Sequence, residues 1–209
     1  MTIAIIGAGQ VGNALGRNLV ARGEHVHFGV PNPDKYAPLA RDLGSRARVG
    51  TVPTAVAAAP EIVILATPYA AAAAAVRSIG DWGGRILVDA TNPIAPGLAG
   101  LSLGTSTSGA EELARFATHA RVVKAFNTTG FENMADPEYA QGRIFMPVCG
   151  DDADARSRIV ALVISLGFDG VDAGPLMAAR YLEPFAMTWI QLAYRQGFGR
   201  KFAFSIIRR

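Results

Sequence analysis

Residues 2–21 read TIAIIGAGQVGNALGRNLVA, and the fold follows from that stretch. Thr2–Gly7 is a short apolar run ending in glycine. Val11–Ala21 then carries Val11, Leu15, Leu19 and Val20 at helical spacing. Between them stands Gly7-Ala8-Gly9-Gln10-Val11-Gly12, in which each glycine has a physical task. Gly7 permits a tight turn, Gly9 lets a pyrophosphate approach the backbone, and Gly12 lets the helix lie close to the strand. The pyrophosphate would rest on free N–H groups at the positive end of the helix. A glycine turn alone is a weak sign. With a strand before it, a helix after it and a second strand at Val26–Val30, it reads as a dinucleotide site.

The alternation continues outward. Asn32-Pro33-Asp34 begins a helix, with asparagine as the cap and proline in the first turn. Glu61–Ala66 (EIVILA) is apolar on both faces, as a buried parallel strand should be. A helix over Tyr69–Ile79 and a strand over Arg85–Asp89 follow, and Pro93–Ser108 reads as a long loop. Ala110–Ala117 is helical, Arg121–Phe126 and Ile144–Cys149 are strands, and Asp152–Ser165 is a helix with Asp151 and Asp152 at its positive end. The expected fold is α/β: a Rossmann-type, doubly wound, mostly parallel sheet over residues 1–175. Residues 176–209 form a small C-terminal helical addition that packs on the sheet or on a dimer partner, with Pro184 starting or kinking its helix.

Composition removes other classes. Half of the residues are hydrophobic and 18% are charged, enough apolar material for a large core. No apolar run reaches the ~18 residues of a membrane span, and the start is too short for a signal peptide. The single Cys149 excludes an internal disulfide and any multi-cysteine metal site, and no metal-ligand spacing occurs. The expected address is the cytoplasm. The net charge of +3 comes from Arg195, Arg200, Lys201, Arg208 and Arg209, and the other 15 basic residues face 17 acidic ones. No recognition motif accompanies that tail, so neither nucleic acid nor membrane is an expected partner.

The strand ends hold the candidate chemistry. Phe28-Gly29-Val30-Pro31-Asn32 has no acid for the ribose hydroxyls of NAD. Lys35, inside the next helix, could reach a 2′-phosphate, so NADP(H) is favoured and NAD(H) stays open. Ala66-Thr67-Pro68-Tyr69, Asp89-Ala90-Thr91-Asn92-Pro93 and Lys124-Ala125-Phe126-Asn127-Thr128 fall together at the edge where such sheets bind ligands. No tyrosine is followed by lysine four residues later, and there is no nucleophile elbow. His119 is expected at the surface, and His25 and His27 on one side of a strand. A chain without an evident acid or base suits hydride transfer between two ring systems, which needs stacking and exclusion of water more than proton relay.

These motifs resemble the NADPH-dependent reductases of the deazaflavin coenzyme F420, a fold shared with the cytoplasmic domain of six-transmembrane metalloreductases. The resemblance runs through GAGQVG at Gly7–Gly12, DATNP at Asp89–Pro93, VKAFNT at Val123–Thr128 and VCGDD at Val148–Asp152. It continues in LGFDGVDAGPL at Leu166–Leu176 and AARYLEPFAMTWIQLAY at Ala178–Tyr194, its most specific blocks. It implies a nicotinamide near Thr67, Pro68, Asn92 and Ala125, and coenzyme F420 or a flavin as co-substrate over it. That acceptor would lie in a cleft lined by Phe126, Asn127 and Leu176, and the chain would pair as a homodimer through the C-terminal helix. The family's 2′-phosphate loop resembles Gly-Ser-Arg, and here Gly29-Val30-Pro31 stands in its place, with Asn32 and Lys35 fitting the remainder. An imine or keto-acid reductase, and a redox-sensing module without turnover, are the competing readings.

Overall fold

The computed structural model describes residues 1–59 and 61–209. The described residues form one sheet built from β1 (Thr2–Ile6), β2 (His25–Gly29), β3 (Ala47–Gly50), β4 (Ile62–Leu65), β5 (Ile86–Asp89), β6 (Arg121–Lys124), β7 (Phe145–Gly150) and β8 (Asp169–Asp172). Its order is β3-β2-β1-β4-β5-β6-β7-β8. Every pairing is parallel except β6 with β7. The sheet is doubly wound and mostly parallel, as expected.

Alternate residues of the strands feed two cores. Ile3, Ile5, Phe28, Ile64 and Val88 pack against α1 (Gln10–Ala21) through Leu15 and Leu19, and against α7 (Ala153–Ser165) through Ile159 and Val163. Ala4, Ile6, Leu65 and Leu87 face the other way, onto α3 (Val52–Ala58), α4 (Tyr69–Arg77), α5 (Gly109–Ala114) and α8 (Ala179–Arg195). A strand buried on both faces must be apolar throughout, which is why EIVILA is so easily read. Each fully buried Leu, Ile or Phe contributes roughly 1.5–3 kcal/mol.

Several elements depart from expectation. β3, α3, α6 (Phe131–Ala135) and β8 have no counterpart in the sequence reading. β3 and β8 are four-residue strands, one with Arg48 and Gly50 and the other reading DGVD, so their pairing comes from the sheet and not from local propensity. α2 (Pro33–Leu43) is capped by Asn32, as expected. β6 stops at Lys124, short of the expected Phe126, because Phe126 takes a left-handed backbone with φ 61°. Pro184 does not start the last helix, which begins at Ala179 and runs through it.

The tail lies against the body. Phe202 stacks on Trp189 with ring centroids 5.3 Å apart, and its carbonyl accepts from Trp189 Nε1 at 3.0 Å and Asn133 Nδ2 at 2.7 Å. The backbone N–H of Phe145 donates to the Phe204 carbonyl at 2.9 Å, on the half of β7 that the shorter β6 leaves free. α8 is clipped at its start by Arg180, whose guanidinium donates both Nε and Nη2 to Glu111 on α5 at 2.9 and 2.7 Å.

Arg180 holds the Glu111 carboxyl below the usual carboxylate range. A depressed folded-state pKa adds stability that is complete above the ordinary glutamate value of 4.5 and is lost as pH falls through the lower folded value. Arg180→Ala should therefore unfold at lower urea than wild type at neutral pH, with the gap closing in acid. A gap that persists unchanged into acid strong enough to protonate Glu111 in both states would show that Arg180 acts through packing alone.

Candidate functional site

The chain leaves β1 for β2 on one side and returns through β4 on the other, so the sheet order reverses at the end of β1. In open α/β sheets ligands bind at this switch point, outside the carboxyl ends of the strands. The ends of β1, β4, β5 and β6 are adjacent there and bring the segments at Gly7, Thr67, Asn92 and Asn127 into one row.

The three glycines of the turn play unequal parts. Gly7 has φ 101°, and a Cβ there would stand 2.6 Å from the Ala66 carbonyl oxygen. A Cβ at Gly12 would overlap the Gly7 carbonyl oxygen. Both are glycines because the protein itself fills the space. Around Gly9 nothing lies within 4 Å of the Cβ position, and its backbone is not left-handed. Nothing in the fold requires glycine there, and a ligand lying on the backbone would. Gly9 caps α1 without a side-chain hydrogen bond and no acid stands in the first turn, so the amides of Gln10, Val11 and Gly12 have no protein acceptor from a cap. Ala8 lies buried behind the turn and Gln10 is exposed in front of it. This shape and polarity fit a dinucleotide pyrophosphate.

Other expected residues divide. Pro31, Asn32 and Lys35 are exposed beside the end of β2, with Asn32 Oδ1 accepting from the Lys35 N–H at 3.4 Å. Val30 is turned into the core, so its side chain cannot take the place of a phosphate-binding serine. Ala125 and Phe126 are likewise fully buried, and the Phe126 ring meets Phe168 edge to face at 6.1 Å. Leu176 packs in the second core, its carbonyl 3.8 Å from Cys149 Sγ. Burial thus takes the side chains of Ala125, Phe126 and Leu176 out of the expected pocket. Pro68 is exposed at the start of α4, while Thr67 Oγ1 is buried with no hydrogen-bond partner. Asn92 and Asn127 bond reciprocally: Asn92 Nδ2 donates to the Asn127 carbonyl at 2.8 Å and Asn127 Nδ2 to Asn92 Oδ1 at 3.0 Å.

Beneath this row lies a charge cluster that the sequence reading missed. Lys124, 0% exposed, donates from Nζ to Asp89 Oδ2 and to the Thr91 carbonyl, each at 2.8 Å, and pairs with Glu183 Oε1 at 2.8 Å. Glu183 accepts from the backbone N–H groups of Gly109 and Ala110 at 2.9 and 3.2 Å. Asp89 Oδ1 accepts from the Thr91 N–H and hydroxyl at 2.9 and 2.6 Å. Burial alone would push the Lys124 ammonium down, but Asp89 and Glu183 outweigh it and hold its pKa above the ordinary lysine value. One sign was available: a lysine inside VVKAF and an acid inside YLEPFA are charges at apolar positions, and such charges need partners. Burial, with Glu183 and Asp89 near, also keeps the Tyr69 phenol above its ordinary pKa, so at neutral pH it remains protonated. Cys149, deep in the second core, is pushed up to about 12 by burial, which makes it a poor nucleophile.

A glycine turn at the switch point of a doubly wound sheet defines a Rossmann-type protein of the NAD(P)-binding class. The family model described as NADP oxidoreductase, coenzyme F420-dependent, matches residues 2–93. A crystal structure of a candidate F420-dependent NADP reductase from Arthrobacter sp. FB24 is 32% identical, covers 99% of both chains and has a TM-score of 0.84. The hypothetical protein SMa0349 of Sinorhizobium meliloti is 32% identical over 88% of this chain and 90% of its own, with a TM-score of 0.80. The metalloreductase STEAP3 of Rattus norvegicus is 31% identical over 87% of this chain, which spans only 35% of that relative's length. A reductive aminase from Aspergillus terreus in complex with NADPH, 19% identical over 92% of this chain and 61% of its own with a TM-score of 0.70, shares the fold. The chain belongs to the coenzyme F420-dependent NADP oxidoreductase family, and by class it is an NADP-dependent oxidoreductase. Among the described residues no helix is long and apolar enough to cross a membrane.

The geometry sets two expectations. Gly9→Glu fits the open space and should fold, while its carboxylate occupies the pyrophosphate position. Calorimetric titration should find no NADP⁺ binding in a variant whose thermal midpoint matches wild type, and retained affinity would displace the site. Lys124→Met leaves Asp89 and Glu183 buried against each other, and should cost about 3–5 kcal/mol in urea unfolding. A loss under ~1 kcal/mol, the scale of an exposed pair, would show the cluster to be unimportant for stability.

Proposed function

We propose that this protein binds NADPH along the ends of β1, β4, β5 and β6 and passes hydride to a deazaflavin or flavin-like acceptor. The observation that carries the reading is Gly9, a turn glycine with open space at its Cβ position, which leaves room for a ligand on the backbone beside the uncapped start of α1. The amides at the start of α1 would hold the pyrophosphate, with Gly7, Ala8, Gly9, Gln10, Val11 and Gly12 forming the cradle. Asn32 and Lys35 would meet the adenosine ribose and its 2′-phosphate, and Thr67, Pro68 and Asn92 would border the nicotinamide. NADPH held there supplies the hydride.

The chemistry of the row supports a hydride acceptor over a carbonyl that must be protonated. Asp89, Lys124 and Glu183 are bonded to one another and satisfied, so none is free to move a proton at the strand ends. The other polar side chains along the row are neutral: the Thr67 hydroxyl, the Asn92 and Asn127 amides and a Tyr69 phenol held protonated. Between two rings that exchange hydride, such a surface orients and dries without competing for protons. The names borne by the Arthrobacter and rat relatives agree with a reductase acting on a redox partner. Tyr181 near the start of α8 is 67% exposed and Tyr194 near its end 51%, and this is where a second copy of the chain would dock.

Oxidation of NADPH and NADH by the purified protein, followed spectrophotometrically with coenzyme F420 and then FMN, tests the reading. F420-dependent oxidation with NADPH preferred is the expected result. Absence of turnover with either acceptor, in protein that binds the dinucleotide, would favour a sensing module. Pro31→Arg restores a guanidinium at an exposed loop position without disturbing the buried Val30. It should raise the NADPH-to-NADH preference by about tenfold or more, as a charged hydrogen bond of 1.5–3 kcal/mol would. An unchanged preference would mean that the loop does not touch the 2′-phosphate.

A further inference from the structure

Asn127 is the first residue after the left-handed Phe126 and is 3% exposed. Its Nδ2 donates to Asn92 Oδ1 at 3.0 Å and also to the Leu182 carbonyl at 3.2 Å. Two oxygen acceptors, on different segments, fix which end of the amide faces them. A reversed amide would set three oxygens together. Asn92 closes the arrangement by donating to the Asn127 carbonyl at 2.8 Å. The side chain is therefore held in one orientation, and its Oδ1 is buried with no donor among the described residues. Leaving such an acceptor unpaired costs about 1–3 kcal/mol. An acceptor so oriented, at the edge where ligands bind, suits a group that arrives carrying an N–H.

A second unpartnered atom, Thr67 Oγ1, helps to place the ligand. Thr67 stands against the Gly7 turn, its methyl 3.2 Å from where a Gly7 Cβ would be. It lies between the Gly7 turn and the β5 end, where the pyrophosphate would give way to the nicotinamide. Asn127 follows β6, beyond β5 from the β4 end that bears Thr67, or about two strand spacings of 4.7–4.9 Å away. A dinucleotide whose pyrophosphate rests at Gly9 extends its nicotinamide along this row toward Asn127.

We propose that Asn127 Oδ1 accepts a hydrogen bond from the carboxamide N–H of the nicotinamide. The inference rests on the dinucleotide reading above and adds to it the group that fixes the ring. A bond to the carboxamide sets the rotation of the ring about its glycosidic bond and so selects the face presented to the acceptor. Asn92 is the positioning residue for this bond, because it accepts from the Asn127 side-chain Nδ2 and donates to the Asn127 backbone carbonyl. The Leu182 carbonyl extends the same restraint to α8.

The test pairs a change in the ligand with a change in the protein. NADP⁺ and its 3-acetylpyridine analogue, whose methyl ketone replaces the carboxamide and has no N–H, are titrated calorimetrically into the full chain. Wild type should bind the analogue about tenfold more weakly, the fold-change of one lost hydrogen bond that leaves its acceptor unpaired. Asn127→Ala should bind NADP⁺ more weakly and no longer distinguish the two. If circular dichroism shows that Asn127→Ala has not folded, Asn127→Ser takes its place, and the wild-type comparison stands without either. Equal affinity of wild type for the two ligands would overturn the proposal, as would a variant that still prefers NADP⁺. Equal affinity together with weakened F420 binding in the variant would reassign the bond to the imide N–H of the acceptor. Failure of both dinucleotides to bind would instead remove the dinucleotide reading itself.

Discussion

A buried ammonium holds the second half of this fold together. Lys124 has three N–H bonds to give and places them on Asp89 of β5, on the carbonyl of Thr91 just beyond it, and on Glu183 of α8. Two carboxylates against one cation would leave a negative charge in the core. The N–H groups of Gly109 and Ala110 on Glu183, and those of Thr91 with its hydroxyl on Asp89, spread that charge over donors already fixed in place. Desolvating these ions is expensive, and a well-packed apolar set could match their stability. What an apolar set could not supply is direction. The cluster fixes which residue of α8 meets which strand end, and the bidentate Arg180–Glu111 pair repeats that choice one turn away.

The electrostatic consequence reaches the ligand edge. Charges spent in the cluster are absent from the surface above it, where a nicotinamide would otherwise meet an acid or an ammonium. The row of strand ends is left to amides and hydroxyls in fixed orientations. Phe126 contributes to this by an unfavourable backbone. A bulky residue at φ 61° costs on the order of 1–3 kcal/mol and persists only when its surroundings over-determine it. Here the fully buried ring against Phe168 does so. The reward of that turn is local: it ends β6 and carries Asn127 across to Asn92.

Legibility in the sequence followed locality. GAGQVG, the apolar strands, the cap at Asn32 and the acids at the start of α7 depend on neighbours in the chain, and the structure has them where the pattern puts them. β3, β8 and α3 are short and carry Gly, Asp, Arg or Pro, so only pairing with a finished sheet makes them regular. The strand ends were recognisable as a ligand edge, but not which way each side chain points. Val30, Ala125, Phe126 and Leu176 face the core, which depends on the parity of the strands and on one left-handed residue. Lys124 and Glu183 lie far apart in sequence, and although each is conspicuous as a charge among apolar residues, nothing local names the partner.

The last helix therefore belongs to the site as well as to the packing. Two consecutive residues of α8 act at once: the Leu182 carbonyl accepts from Asn127, and the Glu183 carboxylate pairs with Lys124. Through them the helix touches β6 at Lys124 and the segment after it at Asn127, while Glu183 also holds the start of α5 at Gly109 and Ala110. Its other side is bound to the tail by Trp189 on Phe202 and by Phe185 beside Phe145 and Phe204. A shift of α8 along its axis would have to break a buried ion pair, the hydrogen bond from the Asn127 amide to the Leu182 carbonyl and an aromatic stack in one step. Interactions so coupled change together or not at all. The hydride transfer proposed for this chain would call for that rigidity, which is supplied by a helix outside the nucleotide-binding motif.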